Sequence, residues 1–157
     1  MRIVDLLHPE AILLHQQLAD STEVISELGG RLKALGFVKD DFVKATLARE
    51  ASMPTGLPLM GEVNAALPHV DIEYVNSPAL GLATLVEPVI FKNMVNPDEE
   101  VPVRLVIMLA LEQPKSQVEM LQQVAGLLQQ PAAIEQLMNA ATPDEVLGIL
   151  EELPAVT

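Results

Sequence analysis

The chain has no cysteine in its 157 residues, so any covalent chemistry needs another nucleophile, and three histidines are the first candidates. His69 stands apart from the other two. It follows a proline and closes the short apolar run Ala65-Ala66-Leu67-Pro68, a pattern that predicts an imidazole at the end of a strand, facing out. Proline fixes its own φ and biases Leu67 toward extended backbone, which puts the ring on a stiff support. That suits a histidine that accepts a phosphoryl group or moves a proton. The plainer reading is a histidine that ends a strand with a satisfied hydrogen bond, and a lone histidine has no partner in sequence to decide between the two. His8 and His15 flank Ala11–Leu14 without a metal-ligand spacing to Asp or Glu, and read as surface or capping residues.

The second candidate is Arg49. Asp40 and Asp41 place two acids at the positive end of a predicted helix that continues through Phe42, Val43, Thr46 and Leu47 and is ended by Pro54. Arg49 therefore projects from its last turn, just ahead of the stretch that carries His69. Two uses are open: an anion partner for His69 chemistry, or a helix C-terminal cap paired with Glu50. Pro54, Gly56, Pro58 and Gly61 then predict a loop from about Met53 to Glu62.

The remaining elements would build the support for these residues. Ala11–Leu14 reads as a first strand. Asp20 with Glu23 forms a capping pair for a helix whose apolar face is Val24, Ile25, Leu28, Leu32 and Leu35, with Gly36 as its stop. The Gly29-Gly30 pair inside it predicts a close approach of another element. From Ile72 to Leu111 the chain reads as β structure, with short apolar runs at Leu80–Val86 and Pro88–Phe91 and a near-continuous one at Val101–Leu111. Continuous patterning points to a strand buried on both faces. Three helices should close the chain: one capped by Ser116 and Glu119, one opened by Pro131, and one opened by Pro143 and capped by Thr142 and Glu145. The fold expected is α/β (α+β), a single domain over residues 1–157 with a central mixed sheet flanked by helices on both faces.

Composition narrows the partners. Half of the residues are apolar, enough for a sizeable core. Acidic residues outnumber basic ones 22 to 9, a net charge of −13, which disfavours phosphate backbones and anionic lipid and predicts a partner with a neutral or basic contact patch. With aromatic content of 3%, no stacking platform for bases or sugars is expected. Asp5 and His8 interrupt what would be a signal-peptide core and no apolar run reaches membrane-span length, so a soluble, cytoplasmic protein is expected. The seven methionines read as core filling. There is no Gly-rich phosphate loop, G-x-S-x-G or H-E-x-x-H.

Taken together, DFVKATLAREASMPTGLPLMGEVNAALPHV (residues 41–70) resembles the hallmark region of the enzyme IIA domains of the fructose/mannitol type in the bacterial sugar phosphotransferase system. It has a helix ending in L-x-R-E, then P-T-G, then a small-apolar-P-H sequence. RLVIMLALEQPKSQVEMLQQVAGLL resembles the family's last strand and following helix, and TPDEVLGILEEL its closing helix. Pro88-Val-Ile-Phe-Lys-Asn-Met with the acidic turn after it is most similar to the galactitol-specific branch. The resemblance implies that His69 accepts a phosphoryl group from the histidine-containing phosphocarrier protein and passes it to a cysteine of enzyme IIB. It implies a charged fork from Arg49 onto the phosphoryl oxygens, with Thr55 and Gln117 each able to donate one neutral hydrogen bond, and no cofactor or metal. The sequence departs from many mannitol- and fructose-type members in having Gln117 where they carry a second histidine. A regulatory relative, or an inert interaction module of the same fold, is the alternative. A metal hydrolase would need His8, His15 and His69 to converge with acids.

Overall fold

The computed structural model describes residues 2–153. Its elements, in order, are α1 (Ile3–Leu6), β1 (Leu7–Gln16), α2 (Ser21–Ala34), α3 (Phe42–Ser52), β2 (Gly56–Leu57), β3 (Asn64–Ala66), β4 (Ala79–Lys92), β5 (Glu100–Ala110), α4 (Pro114–Leu128), α5 (Pro131–Asn139) and α6 (Pro143–Glu151). A short 3₁₀ turn, Ile72–Tyr74, precedes β4. The strands form one mixed sheet in the order β1-β4-β5-β3-β2: β1 runs parallel to β4, β4 antiparallel to β5, β5 parallel to β3, and β3 antiparallel to β2.

Helices cover both faces of this sheet, as the order of predicted elements implied. The central strand β5 shows why its sequence is continuously apolar. Leu105, Ile107 and Leu109 enter one core with residues of α4, α5 and α6, while Val106, Met108 and Ala110 enter the other with Val24, Ile25, Leu28 and Leu32 of α2 and Phe42 of α3. A strand with helices on either side must be apolar at odd and even positions alike.

Several expectations need correction. Leu80–Val86 and Pro88–Phe91 belong to one long strand, β4, whose pairing with β5 shifts register between Thr84 and Val89. The first strand extends well beyond Ala11–Leu14 at both ends, and α1 precedes it. The helix assigned a Ser116/Glu119 cap begins earlier, at Pro114 with Gln113 as N-cap, because proline at the first helical position needs no N–H partner. At α2 and α6 the expected Asp20 and Thr142 caps accept from the Glu23 and Glu145 amides. Of the glycine pair, Gly29 alone marks a close approach: a Cβ there would lie 2.6 Å from Val43 Cγ2, while Gly30 faces open space. Met108, Met120 and Met138 fill core, whereas Met53, Met60 and Met94 are exposed.

The loop expected over Met53–Glu62 contains β2, and Gly56 there is held by close backbone contact. A Cβ at Gly56 would sit 2.6 Å from the Lys92 carbonyl oxygen, and the Gly56 carbonyl accepts from the Met94 amide at 2.8 Å. The nearest obstacle, the Lys92 carbonyl, is backbone and cannot swing aside. Gly56→Ala is expected to destabilise the fold by about 1–3 kcal/mol, the usual cost of overpacking, measured by urea unfolding.

Candidate functional site

His69 is placed by β3 and by Leu67 and Pro68, which carry its line on alongside β5. The Pro68 carbonyl accepts from the Leu109 amide at 3.0 Å, and His69 itself bridges to Leu109 in parallel register. On the other side the Leu67 amide is shared between the Thr55 carbonyl, at 3.3 Å, and the Thr55 hydroxyl, at 3.2 Å. The backbone leading into the ring is therefore clamped, which is the stiffness that the Leu67-Pro68 pair predicted.

Among the described residues the half-buried ring makes one hydrogen bond, from Nδ1 to the Leu67 carbonyl at 2.7 Å. A carbonyl oxygen only accepts, so Nδ1 carries the proton and Nε2 keeps its lone pair. Burial lowers the pKa of His69 below the ordinary histidine value; the Leu67 carbonyl and Asp71 pull it back up, and the Arg49 charge lowers it further. The net shift is downward, which favours the neutral, nucleophilic ring. It follows that a ring titration followed by NMR should find His69 less than half protonated at pH 6.5, where an ordinary histidine is half protonated. The same shift means that the unfolded chain binds a proton more readily than the folded one, so His69 favours folding above pH 6.5 and loses that contribution as pH falls through its folded value.

Arg49 lies in the last turn of α3, as predicted, but it neither pairs with Glu50 nor spends its guanidinium on the helix end. Its Nη1 meets Asp71 Oδ1 at 3.3 Å, across the turn that follows His69. Asp71 is largely exposed, while Arg49 Nε is buried and has no hydrogen-bond partner among the described residues. Glu50 turns inward instead. Its carboxylate accepts the Thr55 amide at 2.7 Å and the Thr55 hydroxyl at 2.8 Å. Burial raises the Glu50 pKa, and the two Thr55 bonds and the Arg49 charge only partly offset it.

Thr55, expected to offer its hydroxyl to a phosphoryl group, is buried and has that proton committed to Glu50. Gln117 is half-buried in the first turn of α4, the helix that follows β5, and among the described residues no hydrogen bond joins its side chain to His69. His15 Nε2 lies 2.8 Å from the Ala140 carbonyl, and the His8 ring stacks obliquely against Phe37. No three His, Cys, Asp or Glu side chains among the described residues come together as a metal site, so the convergence that a metal hydrolase would need does not occur. Glu50 and Asp71 went unrecognised at the level of sequence: Glu50 reads there as a surface partner of Arg49, and Asp71 carries no motif.

A stiffly held, neutral histidine with an arginine across the turn belongs to a chain of the EIIA type 2 family of the phosphoenolpyruvate-dependent sugar phosphotransferase system; the family's model matches residues 5–153. Members are phosphotransferases that work through a phosphohistidine. The chain is 35% identical over 120 residues to the galactitol-specific EIIA component of Escherichia coli K12, a span of 76% of this chain and 79% of that one. Among solved structures it resembles IIA mannitol from Escherichia coli, with 30% identity, a TM-score of 0.73, and coverage of 91% of this chain and 97% of that one. It also resembles the complex of enzyme IIA mannitol with phosphorylated enzyme IIB mannitol from Escherichia coli, with 28% identity, a TM-score of 0.74, and coverage of 94% and 100%. Among the described residues no helix is long and apolar enough to cross a membrane.

Proposed function

We propose that His69 is the phosphoryl acceptor of this EIIA, that it is charged on Nε2 by the histidine-containing phosphocarrier protein, and that it passes the group to a cysteine of an enzyme IIB in the uptake of galactitol or a related hexitol. The observation that carries this is the bond from Nδ1 to the Leu67 carbonyl, which leaves Nε2 as the nucleophile. In the step, the Nε2 lone pair attacks phosphorus, the P–N bond of the donor breaks, and its electron pair returns to the donor ring. Nδ1 keeps its proton on Leu67, so the phosphorylated ring is cationic and a good leaving group toward a thiolate. Arg49 would fork onto the phosphoryl oxygens and Gln117 would add a neutral donor.

Donor and acceptor must reach the same nitrogen, so they use one face in turn. In this reading exposed Met53, just after α3, and exposed Val118 of α4 supply the apolar contact of that face. The galactitol assignment rests on the curated relative's specificity and on the Pro88–Met94 stretch. The test is a reconstituted relay from phosphoenolpyruvate, followed by intact mass and by phosphorus NMR of the histidine. One phosphoryl group on Nε2, transferable to a galactitol-type enzyme IIB, is the expected result. A stable phosphoprotein that no enzyme IIB discharges would favour the regulatory alternative.

A further inference from the structure

We propose that Glu50 is a positioning residue for His69, fixing through Thr55 and Leu67 the tautomer of the ring and hence which nitrogen takes the phosphoryl group. The inference rests on the reading of His69 as the phosphoryl acceptor, and Glu50 itself touches neither donor nor acceptor.

The hydrogen bonds between Glu50 and the ring run in one direction only. An ionised carboxylate can only accept, so the Thr55 hydroxyl, 2.8 Å away, must donate to it. With its single proton spent, that hydroxyl is left to accept, and it takes the Leu67 amide at 3.2 Å. The second carboxylate oxygen takes the Thr55 amide at 2.7 Å and fixes the backbone from which the hydroxyl hangs. Leu67 is pinned by its amide, with Pro68 tied to Leu109 after it, so its carbonyl is held 2.7 Å from Nδ1 and can only accept from it. No link reverses while Glu50 is ionised.

Glu50 is also placed at a cost to the fold. A half-buried carboxylate is disfavoured unless it is paired or hydrogen-bonded, and the adjacent cation, Arg49, is bonded to Asp71 instead. An apolar side chain would fill the space without that penalty. A hydrogen-bonding group at this position is explained by what it orders: two donors of Thr55, and through them the backbone that carries the phosphoryl acceptor.

The test compares Glu50→Ala and Glu50→Gln with the unaltered protein, using nitrogen NMR of ¹⁵N-labelled histidine rings in the unphosphorylated state and single-turnover phosphoryl acceptance. The unaltered protein should show His69 protonated on Nδ1. Glu50→Ala should show a mixture of tautomers, with acceptance slowed on the order of tenfold to a hundredfold by loss of orientation. Glu50→Gln should restore both, since its amide oxygen can accept the Thr55 amide and its NH₂ can donate to a hydroxyl that still accepts from Leu67. A retained Nδ1–H tautomer in Glu50→Ala, whatever its rate, would overturn the proposal. Should that variant fail to fold, Thr55→Val against Thr55→Ser reads the same linkage with the same outcomes. The tautomer is observed without any donor protein, so a failure of phosphoryl transfer in the unaltered chain counts against the function of His69 and not against this linkage.

Discussion

His69→Ala is expected to abolish phosphoryl acceptance altogether while the protein stays folded. No second nucleophile is placed to replace it. The chain has no cysteine, His15 is engaged at the Ala140 carbonyl, and His8 lies against Phe37. What the ring contributes to stability is small by comparison: it is half-buried and makes a single hydrogen bond, worth about 0.5–1.5 kcal/mol. The expected pair of results is therefore a melting temperature lowered slightly and a phosphoryl signal lowered to nothing, read by intact mass beside a thermal melt. An acid-labile phosphoryl group surviving in the alanine variant would place the acceptor elsewhere and overturn the assignment.

How far the site could be read from sequence depended on the distance over which each residue acts. His69 was legible because Leu67 and Pro68, its immediate neighbours, dictate its backbone, and Arg49 because a helix that must stop before Pro54 leaves it in the last turn. The layers were legible for a similar reason: a strand apolar at every position, Val101–Leu111, demands cover on both faces, and the flanking helices announce themselves by period and cap. The Glu50–Thr55–Leu67 chain was not legible. Its bonds span five and twelve residues across a bend, and a glutamate next to an arginine at a helix end looks like half of a surface pair. Only the tertiary turn after Met53 shows that the carboxylate faces in and that the guanidinium reaches Asp71. The same limit explains Thr55. Its hydroxyl, expected to donate to a phosphoryl group, gives its proton instead to a carboxylate that sequence leaves on the surface. The shifted start of α4 has a local cause instead: Pro114 outranks Ser116 as the opening residue because its fixed φ already matches the helix.

Arg49→Ala separates a structural arginine from a functional one, because the two roles predict effects on different observables. As a partner of Asp71 it forms an ion pair whose carboxylate is 68% exposed, and such pairs contribute only about 0–1 kcal/mol. That weakness has a consequence for transfer: exchanging Asp71 for phosphoryl oxygens costs little, and the exchange would also give an acceptor to the buried, unpartnered Nε. If Arg49 holds the phosphoryl group, its loss should slow acceptance on the order of 10²–10³-fold, the effect of removing one preorganised donor at a site of developing charge. Stability should fall by no more than about 1 kcal/mol. Gln117→Ala, which removes a neutral donor, should slow transfer less. Asp71→Asn supplies the control. It breaks the same ion pair but leaves the cation in place, so it should keep transfer near the unaltered rate and lower the pKa of His69 further, since the Asp71 charge is one of the influences holding that pKa up. Stopped reactions with the phosphocarrier protein as donor measure the rates, and histidine NMR measures the titration. Equal losses in Arg49→Ala and Asp71→Asn would mean that the ion pair matters and the phosphoryl contact does not, and normal transfer by Arg49→Ala would remove the arginine from the mechanism.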